Sequence, residues 1–116
     1  MKSTNTIKIP INITDENLED ILETAFISTS YWLYWGCIKK CGKGKFNYTL
    51  LVPEDDTDTE FKKYTLTKNK LLKGVREYIS KYGCNIEDGE LDTCSIDGWG
   101  CDIILQYALF NEVVFG

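Results

Sequence analysis

Residues 102–116 read DIILQYALFNEVVFG and constrain this chain more than any other stretch. Ile103, Ile104, Tyr107, Ala108 and Phe110 recur at helical spacing, and Leu105 and Leu109 widen the stripe until the helix is apolar on most sides. A helix of that kind is buried, not laid on a surface. Val113, Val114 and Phe115 then read as a short strand, and an end this apolar has to dock. The expectation is a core centred on this helix, with the last strand closing a sheet edge.

Upstream, residues 6–13 alternate, with Ile7, Ile9, Ile11 and Ile13 on one face, which predicts a half-buried strand. Pro10 makes it an edge strand or a bulged one. Thr14 or Asp15 caps a first helix with the stripe Leu18, Ile21, Leu22, Ala25 and Phe26. The aromatic run YWLYWGCIKK at 31–40 predicts a strand over 34–39 or a bent connection. A basic glycine turn at 41–45 leads to a strand at 46–52 stopped by Pro53, an acidic loop at 54–60 and a strand at 62–66. Thr67 caps a second helix with the stripe Leu71, Leu72, Val75, Tyr78, Ile79 and Tyr82, and Gly83 stands at its C-terminal cap. Residues 90–96 offer a further strand, and Asp97 caps the last helix. The order β-α-β-β-β-α-(β)-α-β predicts a single α+β domain over 1–116, a small antiparallel sheet of about four or five strands packed with three helices.

The net charge of -5 and pI of about 4.7 disfavour direct binding of a nucleic-acid backbone, which needs clustered Lys and Arg. There is no histidine, so the commonest general base and metal ligand are both missing. The five cysteines, Cys37, Cys41, Cys84, Cys94 and Cys101, contain no C-x-x-C knuckle of the kind zinc ribbons use. Cys41, beside Lys39, Lys40 and Lys43, is expected to be the most exposed and reactive thiol. The acidic loop lacks the glycine and distal glutamate of an EF-hand. No enzymatic activity, metal or cofactor is expected. The first residues carry no apolar leader and no run approaches the roughly 18 residues of a membrane span, so the expectation is a cytoplasmic protein with reduced thiols.

Three places can carry binding. Tyr31, Trp32, Tyr34, Trp35 and Trp99 exceed what one face of a strand can bury, and Trp and Tyr dominate contact hot spots. Trp32, Tyr34, Trp35 and Trp99 are the expected anchors for a protein partner, with Asp55, Asp56 and Asp58 as contacts to a basic groove. As an alternative, Gly42, Lys43, Gly44 and Lys45, with the backbone amides of Gly98 and Gly100 at a helix start, would hold an anionic ligand. The turn lacks the phosphate-loop pattern and does not lead into a helix.

The segments ITDENLEDILETAF (13–26), YWLYWGC (31–37), YTLT (64–67) running on to LLKGV (71–75), and D-x-x-x-QYALFNEVVFG (102–116) resemble a family of small proteins carried by phages and prophages of Gram-positive bacteria. Members of that family end close to QYALFGEVVYG, and Asn111 departs from it where a glycine is expected. The likeness covers most of the chain, is strongest over 106–116 and weakest over 40–60. The resemblance brings no catalytic residues. It implies a phage accessory protein in the host cytoplasm, a setting in which small acidic proteins often inhibit host defence, anti-CRISPR proteins among them. The expected function is therefore a non-enzymatic inhibitor that binds a host defence protein such as a CRISPR effector. The alternatives are an oligomeric sponge for a nucleotide second messenger and a structural accessory protein. Whether the chain forms a homo-oligomer stays open.

Overall fold

A computed structural model describes residues 11–54, 60–87 and 89–116. Helix α1 spans Asp15–Ser28. It begins there because Thr14 and Asn17 close a capping box: Asn17 N donates to Thr14 Oγ1 at 3.1 Å and Thr14 N donates to Asn17 Oδ1 at 2.9 Å. Both amides would otherwise lack a partner at the helix start. Leu18, Ile21, Leu22, Ala25 and Phe26 bury as one stripe.

Strands β1 (Ile38–Lys40), β2 (Tyr48–Pro53) and β3 (Phe61–Leu66) form an antiparallel sheet in the order β1-β2-β3. Alternation sends Leu50, Val52 and Leu66 into the core and Thr49, Leu51 and Lys63 to the other face. Helix α2 (Lys68–Tyr82) starts at Thr67, whose Oγ1 accepts from Lys70 N at 3.3 Å, and ends at Gly83, where φ is 77°. Strands β4 (Ile86–Glu87) and β5 (Glu90–Leu91) make a separate short hairpin. Helix α3 (Gly98–Phe110) starts at Asp97, whose Oδ1 accepts from Gly100 N at 2.8 Å.

Helix α3 packs against α1, α2 and β3, and every residue from 100 to 108 is buried. It is the centre of the core, as its apolar circumference predicts. The helices lie on the inner face of the β1–β3 sheet, and the whole is the expected α+β arrangement. The strands are divided between two sheets, not collected in one.

Two local expectations meet a different outcome, as does the strand offered over 90–96, which is confined to Glu90–Leu91 and followed by a 3-10 turn at Thr93–Ser95. Most of the strand expected over 6–13 lies outside the described residues; at its end Asn12 makes a parallel bridge to Glu90. Over 34–39, Trp35–Cys37 forms a 3-10 turn and the strand starts only at Ile38. The last strand does not form. Val114 N and Phe115 N donate instead to the side-chain Oε1 of Gln106, at 2.7 and 2.8 Å, so the tail is an extended strap held by α3 itself.

The α2–α3 crossing depends on Gly74. A Cβ there would stand 2.3 Å from the carbonyl oxygen of Ile104 and 3.1 Å from Ala108 N, both backbone atoms. Gly74→Ala should gain up to about 1 kcal/mol of helix propensity but lose more by forcing the helices apart, typically about 1–3 kcal/mol. Urea unfolding should therefore show a net loss, and a more stable variant would contradict the close crossing.

Candidate docking site at the helix ends

The corner after α1 decides which aromatics are available. Thr29 is fully buried; its Oγ1 donates to Ala25 O at 2.7 Å, and its own carbonyl accepts from Trp32 N and Leu33 N at 2.9 and 2.7 Å. This tight turn drives two consecutive side chains, Trp32 and Leu33, into the core. Trp32 is 2% exposed, stacks on Phe115 with centroids 4.8 Å apart, and donates Nε1–H to Asp102 Oδ1 at 3.0 Å. It is a core residue, which corrects its expected role as an anchor. Tyr31, on the outside of the corner, donates its hydroxyl to Asp102 Oδ2 at 2.5 Å.

Trp99, Asp102 and Gln106 project from one face of α3 at spacings of three and four. The corner and the tail cover the last two, and Trp99 is left 55% exposed. Its indole is held: the ring of Tyr82 meets it edge-on at 5.2 Å, and Tyr82 in turn contacts the buried Tyr78 at 5.1 Å. Edge-on aromatic pairs of this kind are favourable geometries. The glycines beside Trp99 serve packing. A Cβ on Gly98 would lie 2.6 Å from Ser28 Oγ, and one on Gly100 would lie 2.7 Å from the Tyr78 hydroxyl. The ends of α1 and α2 and the start of α3 thus converge, with Trp99, Tyr82 and, in the last turn of α1, Ile27 presented outward. Sequence periodicity assigns Tyr82 to the core stripe of α2. Its place in the last turn, directly before Gly83, is the signal that it emerges from the packed region.

Trp35 is 65% exposed on the 3-10 turn, and Tyr34 beside it is partly exposed. Asp55, Asp56 and Asp58 lie outside the described residues. The residues of the alternative anion site are not brought together. Lys45 Nζ pairs with Glu19 Oε1 at 3.4 Å in the first half of α1, whereas Gly98 packs on Ser28 at its end, about 13 Å further along the axis. Gly42 and Gly44 serve the turn between β1 and β2, where Cys41 N donates to Asn47 O at 2.9 Å; Lys43 is exposed there. The Gly100 amide is already occupied by the Asp97 carboxylate, which would also repel an incoming anion. Among the thiols Cys94 is the exposed one and Cys41 only partly so, against expectation; burial pushes Cys101 up to about 12, which keeps it protonated and unreactive. Among the described residues no group of three or more Cys, Asp or Glu could hold a metal ion. No described helix is long and apolar enough to cross a membrane.

Partial burial, followed by the hydrogen bond to Asp102 and its charge, pushes the Tyr31 hydroxyl up to about 12 from 10.0. A raised folded-state pKa stabilises the protonated form. Its contribution is complete below pH 10 and is lost as pH rises towards 12. Thermal unfolding should show Tyr31→Phe less stable than wild type at pH 8, with the gap closing as pH approaches 12. A gap that stays constant across that range would contradict the Tyr31–Asp102 bond.

No family model matches the chain, and neither a curated protein nor a solved structure matches it.

Proposed function

We propose that this chain is a non-enzymatic binding protein that docks a protein partner on the aromatic site where the three helix ends meet. The observation that carries the reading is Trp99, more than half exposed and braced by the Tyr82 ring at the start of a helix that is buried from Gly100 to Ala108. A large aromatic fixed in place before binding loses little side-chain entropy on contact, which is why such residues act as anchors. Trp35 and Tyr34 supply a second exposed aromatic patch on the turn before β1.

The resemblance to phage accessory proteins supplies the class of partner: a host defence protein, such as a CRISPR effector, which this chain would neutralise by occupancy. The acidic balance supports a partner with a basic surface. The nucleotide sponge has less support, because its two supposed anion sites lie apart and one is filled by Asp97.

Both anchor side chains are exposed, so truncating them should leave folding intact. Tagged wild type should retain one stoichiometric protein from lysate of a Gram-positive host, and Trp99→Ala with Tyr82→Ala should weaken that complex by on the order of 2 kcal/mol or more. Retention unchanged after Ala at Trp99, Tyr82, Trp35 and Tyr34 in a folded protein would overturn the reading. So would a homo-oligomer that brings down a nucleotide and no protein.

A further inference from the structure

The outer face of the β1–β3 sheet is a second unusual surface, on the side of the molecule opposite the helices. Residues of alternating strand positions point there: Lys39 of β1, Thr49 and Leu51 of β2, Lys63 of β3. With Cys37, Lys40 and Cys41 they line an open hollow of about 400 Å³ to which none of the three α-helices contributes. The floor is half-buried and apolar, and the cationic side chains that rise around it are exposed. Phe61, paired with Pro53 two positions along β3 from Lys63, extends the apolar strip and is 39% exposed. Among the described residues no acid lines the hollow.

This local charge opposes that of the whole molecule. Residues 9–38 hold five acids and no base, and residues 82–116 hold seven acids and no base. Residues 39–81, which build the sheet and α2, hold eleven bases against six acids. An acidic chain has therefore gathered its cations on the sheet and α2, and two of them frame an uncovered apolar strip.

We infer that this face binds an extended, acidic segment of a protein partner, one that alternates carboxylates with apolar side chains. Charge complementarity selects the occupant. A strand laid over the hollow would place every second side chain on Leu51 and Phe61, and its carboxylates, turned the other way, would be met by the long Lys39 and Lys63 side chains that rise beside it. A nucleic acid fits less well. Its phosphates continue past the hollow, and Glu54 and Glu60, whose backbones pair where β2 ends and β3 begins, would repel them there. The inference goes beyond the aromatic site and does not depend on it.

Backbone amide shifts read the test directly. A blocked peptide alternating Glu and Val, its Lys–Val counterpart, and a single-stranded DNA of equal charge are each titrated into the labelled full chain. The Glu–Val peptide should shift the amides of Lys39, Thr49, Leu51 and Lys63, and its affinity should fall with added salt. Lys39→Glu with Lys63→Glu should weaken it by about tenfold or more, and the milder Lys39→Gln with Lys63→Gln should weaken it less while leaving the spectrum of the free protein in place. Shifts confined to the helices, equal binding of the Lys–Val peptide, or tighter binding of DNA than of the Glu–Val peptide would overturn the inference.

Discussion

The structure depends on how one buried amide, that of Gln106, is satisfied. Helix α3 is buried all round from Gly100 to Ala108, yet two residues of that stretch, Asp102 and Gln106, are polar and lie within hydrogen-bond reach of each other one turn apart. A buried polar group without partners costs about 1–3 kcal/mol, and more when charged. Gln106 Nε2 donates to Asp102 Oδ1 at 2.9 Å and to Phe115 O at 3.1 Å, while Oε1 accepts from Val114 N and Phe115 N. A glutamine amide has two donors and two acceptor sites, and here all four are used. The side chain does for the tail what a neighbouring strand would do. Phe115 can then lie flat on Trp32, and Trp32 can in turn reach Asp102.

Several elements are tied to α3 in this way or by close packing. The corner after α1 arrives through Tyr31 and Trp32, the tail through Phe115, and α2 through the close approach at Gly74. Asp102 receives three neutral donors, from Tyr31, Trp32 and Gln106, so its carboxylate is compensated by hydrogen bonds and not by a cation among them. The docking site follows from the same packing. Once the tail and corner cover the faces at Asp102 and Gln106, Trp99 is the residue of that row left outside, and the glycines flanking it allow α1 and α2 to come near.

What the sequence makes legible is local. Thr14, Thr67 and Asp97 mark the three helix starts, because capping depends on a side chain and an amide two or three residues away. The burial of α3 is legible from its composition alone. The fate of Trp32 is not. Strand alternation groups it with Tyr34 and opposite Leu33, but the Thr29 turn sends the adjacent Trp32 and Leu33 inward together. Nor is the tail legible: Val113, Val114 and Phe115 have strand composition, and the partner that replaces a strand is a side chain eight and nine residues upstream. The glycines around Trp99 read as an anion cradle until their neighbours, Ser28 and Tyr78, are in place. Segregation of charge is visible in the sequence, but only the strand register shows that Lys39 and Lys63 share a face.

The central claim is that the Gln106 amide holds the tail and the α1 corner onto α3. The most direct measurement is the unfolding free energy of Gln106→Met, which keeps the length and helix propensity of the side chain and removes all four hydrogen bonds. A loss of about 2–4 kcal/mol relative to wild type is expected, because the two tail amides, the Phe115 carbonyl and one Asp102 lone pair lose their partner. A variant as stable as wild type would contradict the account, since the tail would then be held by Phe115 stacking alone.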